Sequence, residues 1–240
     1  MPNKIHIANH LILPFGTAKK FDLTRITLCS VAADGIYFTA DIPCIYINRG
    51  QKKPLTINDW GSVFGHDQKG PNAKDVNAAL EFVCNRVEAH IPDPTRYQIS
   101  FLKYYFAWLK GLLDPKNTID PLLPVQLYNA LLPVPEMQLY VEDPLEDDWL
   151  NFEPTNNFRV DFGFWTGTEL MAVEIDGNDP GGYARDLRRD RLLRRADVDV
   201  IHILNTEIER HGDMVIHALL PESIRFDWRK LPAPHPRFPW

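Results

Sequence analysis

Three carboxylates stand among apolar residues in the stretch RVDFGFWTGTELMAVEIDG, residues 159–177: Asp161, Glu174 and Asp176. Burial of an unpaired carboxylate is costly, and carboxylates held close together also repel one another. A divalent cation relieves both costs, because hard cations such as Mg²⁺ take oxygen ligands, usually one or two carboxylates with water and substrate phosphate. These residue types therefore favour a divalent-cation site, and the alternative is a set of solvated acidic residues near strand ends.

A pair of short strands must bring these carboxylates together. Residues 158–165 and 169–176 have the composition of strands, and the Thr-Gly-Thr sequence between them predicts a tight turn. Side chains alternate across a strand, so Glu174 and Asp176 share one face of the second strand. The hairpin therefore predicts that Asp161 and these two acids converge near one edge of a sheet.

The flanking sequence predicts the remaining elements of an αβββαβα order. A short helix near 122–132 and a strand over 137–142 precede the hairpin. A charged helix over 183–196 and a strand over 198–204 follow it, and a helix over 206–219 comes last. Because the charged helix is a crossover, the last strand is expected to run parallel to the second hairpin strand, through a right-handed connection.

These pieces, in this order, resemble the PD-(D/E)XK nuclease superfamily, and most closely its Vsr-like branch of small nuclease domains. In that branch a VDF strand precedes VEIDG, a D-x-x-R-D helix and a strand that ends in asparagine. Here the pieces are RVDFGF, AVEIDG, DLRRD at 186–190, and VDVIHILN ending at Asn205. The resemblance covers about residues 125–220 and implies an α/β (α+β) protein with a restriction-endonuclease-like αβββαβ core and a central mixed sheet.

The resemblance also implies an endonuclease that hydrolyses DNA with Mg²⁺, for which Mn²⁺ can substitute. Asp161 and Glu174 would bind the metal, helped by the Ile175 carbonyl and by Asp176. Foreign-DNA defence, mobile-element processing and repair all use such a core. The alternative is an inactive module that kept the nuclease scaffold and binds nucleic acid or a protein, because a fold does not fix a function.

The sequence departs from the superfamily pattern at the catalytic lysine. The position two residues after the glutamate is Asp176, and no lysine occurs between Lys116 and Lys230. If a cationic side chain is needed, Arg189 is the catalytic candidate, with Lys103 or Lys110 as alternatives. If it is not needed, Asp176 binds a second metal.

An arginine-rich helix follows the carboxylates. Residues 185–195 hold six arginines against two aspartates, and the planar guanidinium suits phosphate oxygens. The alternative is a solvated helix with Asp–Arg pairs. His202, in the next strand, is expected to be packed or hydrogen-bonded rather than a catalytic base. The expected nucleic-acid contacts are Arg185, Arg188, Arg189, Arg191 and Arg195.

The sequence predicts four regions along the chain. Within the first, an Asp-Gly pair at 34–35 between apolar runs predicts a hairpin, and a Gly-Pro pair at 70–71 marks a loop at its end. Helices over 73–90 and 95–113 make up the second. The regions are 1–70, β-rich and expected to bind substrate or a partner; 71–120, a helical connector; 121–222, the nuclease core; and 223–240, a proline-rich, extended tail.

Composition sets the broad class. The 240 residues carry a net charge of −6, with 45% hydrophobic residues, as in ordinary soluble proteins. No apolar run spans a membrane, no secretory leader is apparent, and three scattered cysteines argue against a disulfide framework. We therefore expect a cytoplasmic protein without a membrane partner, with nucleic acid as its main partner and with a homodimer or protein contact through the N-terminal region.

Overall fold

The computed structural model describes residues 10–17, 26–32, 35–40, 42–64, 75–114, 123–141, 156–177, 183–225 and 227–232. Mixed α and β structure fills these ranges, around a four-stranded mixed sheet. The strands before the first long helix are β1 (His10–Pro14), β2 (Ile26–Ala32), β3 (Gly35–Ala40) and β4 (Cys44–Asn48).

The N-terminal strands form two antiparallel pairs. β2 pairs with β3, which confirms the predicted hairpin. The apolar run after the Asp-Gly pair is not one strand, because β3 ends before Pro43, which has no N–H to give to a ladder. β4 instead pairs with β1, from His10↔Asn48 to Pro14↔Cys44. The sequence analysis did not predict β1.

Helices α1 (Trp60–Phe64), α2 (Val76–Glu88) and α3 (Arg96–Gly111) follow β4. The last two confirm the predicted helices, while the predicted loop at 65–71 lies outside the described residues. α3 begins with a capping box in which Thr95 and Gln98 bond reciprocally. Its aromatic residues are mostly buried, as expected of a core helix.

The central sheet has the predicted connectivity. A 3-10 helix, Pro124–Asn129, takes the place of the predicted helix near 122–132. The strands pair in the order β5-β6-β7-β8, antiparallel for the first two pairs and parallel for the last, as the crossover requires. The elements are β5 (Val134–Val141), β6 (Asn156–Trp165), β7 (Leu170–Asp176), α4 (Tyr183–Arg195) and β8 (Val198–Leu204).

The C-terminal part contains more short helices than predicted, and more of it packs against the core. The helix expected over 206–219 is divided into α5 (Asn205–His211) and α6 (Met214–Leu219), because Gly212 between them has a φ of 54°. The predicted extended tail begins instead with α7 (Glu222–Arg225) and a 3-10 helix, Asp227–Lys230. The Trp228 side chain there is buried in the core. Residues 233–240 lie outside the described part.

A single cluster of buried apolar residues joins the N-terminal strands, the helices and the sheet. Phe101 of α3 packs on Phe162 of β6, with ring centroids 5.2 Å apart, and this contact brings the first turn of α3 to the sheet. The boundaries predicted at 70 and 120 are not marked by separate cores among the described residues. Among the residues that the structure describes, no helix is long and apolar enough to cross a membrane.

Candidate active site

The predicted carboxylates lie where β6 and β7 part. The ladder between these strands runs from Trp165↔Leu170 to Phe162↔Val173 and ends there. Two residues beyond Val173, the backbone N–H of Ile175 donates to the Asp161 side chain at Oδ2, 2.7 Å away, in place of a backbone carbonyl. Beyond this point β6 remains paired with β5 alone. Asp161 and Glu174 therefore stand at a fork in the sheet, next to the last pair of the ladder.

Both acids at the fork hold their protons more tightly than usual. Glu174 is only 6% exposed, and burial, followed by the charge of Asp161, raises its pKa well above the ordinary value. Burial also raises the pKa of Asp161, although hydrogen bonds from Ile175 N–H and Gln98 act in the opposite direction. The fork therefore concentrates negative charge in a partly dry place, which favours a cation there.

Arg189 of α4 supplies one positive charge at the fork. Its Nη1 lies 3.3 Å from Glu174 Oε1, and its side chain is 20% exposed. The contact is an ion pair without hydrogen-bond geometry, because Glu174 Oε1 is buried with no hydrogen-bond partner among the described residues. The structure thus places the predicted cation beside the predicted glutamate and leaves a buried acceptor atom unused.

The two alternative lysines do not serve the fork. Lys103 lies 3.9 Å from Glu88, and Lys110 lies 4.0 Å from Glu81, so both pair with glutamates of α2. The face of α3 that carries the two lysines is therefore turned towards α2 and solvent. Gln98 lies on a different face of α3, which packs on the sheet. Arg189, and neither lysine, is the cation that the structure pairs with Glu174.

Asp176 is engaged elsewhere. Its Oδ2 lies 2.5 Å from His202 Nδ1, and His202 Nε2 lies 2.8 Å from Asp190 Oδ2 on α4. His202 is the parallel-register partner of Glu174 across β7 and β8. The hydrogen bond that His202 donates to Asp176, reinforced by the one to Asp190, raises the pKa of His202 to about 9 in spite of burial. The expectation that this histidine is hydrogen-bonded is confirmed, and it adds a second positive charge near the site.

The structure does not assemble the three predicted carboxylates into one metal-binding group. Within the described ranges, no set of three or more His, Cys, Asp or Glu side chains is arranged to hold a metal ion. Asp176 therefore does not complete the predicted ligand set. Asp161 and Glu174 still fit a Mg²⁺ site of the usual kind, with two carboxylates and water. Glu174 Oε1, which accepts no hydrogen bond from the described residues, is available as a metal ligand.

Two residues of the site were missed by the sequence analysis. Gln98 Nε2 donates to Asp161 Oδ1 at 2.7 Å and to Glu136 Oε1 at 3.1 Å. Gln98 lies on the apolar face of α3 and Glu136 lies within the apolar strand β5, and both are buried. The signal that could have found each of them is a polar residue in a position where the surrounding pattern predicts an apolar, buried one.

The arginines of α4 divide into one that faces the fork and several that face solvent. Arg188, Arg191 and Arg195 are exposed, as a surface that binds phosphate requires, whereas Arg189 turns inward to Glu174. The Arg185 side chain lies outside the described part. Asp190 bonds to His202 at 2.8 Å and lies 3.9 Å from the neighbouring Arg189 in an ion pair, so the histidine, and not an arginine four residues on, is its nearest partner.

The raised pKa of His202 predicts a pH-dependent contribution to folding. A histidine whose pKa rises from 6.5 to about 9 on folding stabilises the fold fully below pH 6.5, and this contribution disappears as the pH rises towards 9. In urea unfolding, the gap in unfolding free energy between wild type and His202→Gln is expected to be larger at pH 6 than at pH 9.5. His211→Gln, at an exposed histidine, is the control. If the difference in unfolding free energy between the wild type and His202→Gln is the same at both pH values, the assigned hydrogen bonds are contradicted.

Comparison with known proteins adds no relative from which a role could be transferred. No family model, no curated protein and no solved structure matches the chain. The interpretation of the site therefore depends on its own geometry, and on the order of the motif pieces that resemble the PD-(D/E)XK superfamily.

Proposed function

We propose that the protein is a metal-dependent nuclease that hydrolyses phosphodiester bonds in DNA, on a restriction-endonuclease-like core. The observation that carries the proposal is the pair of carboxylates at the fork between β6 and β7, the half-buried Asp161 and the buried Glu174. Burial raises the pKa of both, and one buried oxygen of Glu174 has no hydrogen-bond partner among the described residues. A divalent cation held by the two carboxylates would compensate their charge and would use that oxygen of Glu174 as a ligand.

The chain's own residues divide the work at this site. Asp161 and Glu174 would hold Mg²⁺ or Mn²⁺, which when bound lowers the pKa of a coordinated water and neutralises charge on the phosphate. Ile175 N–H and Gln98 fix the two oxygens of Asp161. Arg189 supplies positive charge next to Glu174, in the role that the superfamily pattern gives to a lysine.

The exposed arginines of α4 give the proposed enzyme its hold on DNA. Arg188, Arg191 and Arg195 lie on the same helix that brings Arg189 to the fork. Guanidinium groups on an exposed helix contact phosphates without reading the bases. We therefore expect binding that depends strongly on salt and little on sequence.

A non-catalytic binding module is the second candidate, and one observation favours it. Each carboxylate already has a partner inside the protein: Asp176 has His202, Glu174 has Arg189, and Asp161 has the Gln98 amide. A site satisfied in this way can be a structural remnant, while the exposed arginines of α4 still contact phosphates. The two candidates differ in whether metal binding and cleavage occur.

A metal titration with DNA separates the two candidates. Supercoiled plasmid and linear duplex are incubated with the wild-type protein over a series of Mg²⁺ and Mn²⁺ concentrations, and Mn²⁺ binding is measured by calorimetry. We expect nicked or linear products that require metal and disappear with EDTA, together with a saturable Mn²⁺ site. DNA binding without cleavage in any metal, and without a Mn²⁺ site, would favour the binding module and overturn the nuclease.

A further inference from the structure

A fourth acid, Glu136 of β5, lies beside the fork. The pairs Pro135↔Phe162 and Met137↔Val160 place Glu136 opposite Asp161 in the β5–β6 register. Glu136 has a φ of 49° and is 2% exposed. A non-glycine residue in the left-handed region is strained, and such residues cluster at functional sites.

The Glu136 carboxylate is tied to Asp161 through one amide. Glu136 Oε1 and Asp161 Oδ1 both accept from Gln98 Nε2, at 3.1 and 2.7 Å. The carbonyl end of the Gln98 side chain accepts from Thr95 N–H at 2.8 Å, which fixes which end of the amide faces the acids. Glu136 Oε2 lies 2.7 Å from Arg159 Nε in an ion pair.

Burial of the Glu136 carboxylate opposes folding, and the packing of the core does not require a carboxylate there. Burial raises the pKa of Glu136 to about 7, although Arg159 and Gln98 act against the rise. A neutral side chain of the same length would avoid this cost. The arrangement does hold Asp161 still, because one of its oxygens is bound by Gln98 and the other by Ile175 N–H. The lone pairs of Asp161 that remain therefore point in fixed directions.

We propose that Glu136 and Gln98 are positioning residues, which hold the Asp161 carboxylate in a single orientation for a divalent cation. Glu136 orients the Gln98 amide, and the amide orients Asp161. The proposal rests on the proposed function, since it assigns these residues to the same metal. Residues that orient a metal ligand typically change metal affinity by about 10–100-fold when they are replaced.

The test measures Mn²⁺ binding by calorimetry for the full-length wild type, Gln98→Met and Glu136→Gln. The first substitution keeps the length of the side chain and removes its N–H groups, and the second keeps the shape of the side chain and removes its charge. We expect the dissociation constant for Mn²⁺ to rise about 10–100-fold in Gln98→Met and less in Glu136→Gln. Cleavage by both variants is expected to recover in part as the Mn²⁺ concentration rises, because the metal ligands themselves are unchanged.

Gln138→Met is the matched control, because Gln138 is also a buried glutamine, two residues beyond Glu136 on the same strand, and donates instead to Thr17 O at 3.4 Å. Its Mn²⁺ affinity is expected to equal that of the wild type. Equal weakening in Gln98→Met and Gln138→Met would show a merely structural role, and wild-type affinity in both site variants would overturn the positioning. Absence of Mn²⁺ binding in the wild type itself would overturn the proposed function, and the positioning with it.

Discussion

Glu174→Gln is expected to reduce metal-dependent DNA cleavage by about a thousandfold or more. A bound divalent metal contributes several kcal/mol of charge stabilisation in the transition state, and each 1.4 kcal/mol is about a factor of ten in rate. Replacement of one of only two carboxylate ligands removes most of that contribution. Asp161→Asn is expected to behave in the same way, since Asp161 is the other ligand. The measurement is single-turnover cleavage of plasmid at a saturating Mn²⁺ concentration.

The same substitution is expected to make the unfolding free energy less dependent on pH. Burial and the charge of Asp161 raise the pKa of Glu174 well above 4.5, so ionisation of this carboxyl opposes folding. A raised carboxyl pKa means that its contribution to stability is greatest below pH 4.5 and falls as the pH rises towards the shifted pKa. Glu174→Gln removes this loss, so its unfolding free energy in urea should fall less between pH 5 and pH 8.

Glu169→Gln is the matched control for both measurements. Glu169 immediately precedes β7 and is exposed at the turn end of the hairpin, so neither cleavage nor the pH dependence of unfolding should change. Cleavage by Glu174→Gln within tenfold of the wild-type rate would contradict the metal role. A Glu174→Gln protein whose unfolding free energy falls as steeply as that of the wild type between pH 5 and pH 8 would contradict the electrostatic account of the fork.

The hairpin and the crossover could be predicted because local rules determine them. Period-two alternation and the Thr-Gly-Thr turn define β6 and β7, and a helix between two strands makes β8 parallel to β7. The pairing of β1 with β4 could not be predicted in this way, because it joins residues thirty or more positions apart, with the β2–β3 hairpin between them. The break between α5 and α6 depends on Gly212, whose local signal was outweighed by the apolar pattern on both sides.

Only the contacts between residues close in sequence could be predicted for the site. Asp161 and Glu174 meet because their strands are joined by a tight turn. Asp176 shares a strand face with Glu174, but its contact is decided by His202 on β8, 26 residues away. Gln98 reaches Asp161 across 63 residues, through the packing of α3 on the sheet. Alternation along one strand gives no information about contacts that tertiary packing creates.

Arg189→Met is expected to destabilise the fold by about 3 kcal/mol at neutral pH. Removal of one partner of a buried ion pair leaves the other charge uncompensated, which typically costs roughly 3–5 kcal/mol. Arg189 lies 3.3 Å from Glu174 Oε1 with its side chain 20% exposed, so we expect the lower end of this range. Arg189 lowers the pKa of Glu174, so its removal should make Glu174 still harder to ionise. Urea unfolding at pH 7.5 measures the loss, which should shrink at pH 4.

The double variant Glu174→Gln with Arg189→Met tests the cause of that loss. If Arg189 stabilises the fold by compensating the buried charge of Glu174, its replacement costs much less once Glu174 is neutral, and the two substitutions are non-additive. Arg189→Lys, which keeps a positive charge, should lose less stability than Arg189→Met. Full additivity would mean that Arg189 acts through packing alone. It would then not be the cation that takes the place of the missing lysine beside the metal-binding carboxylates.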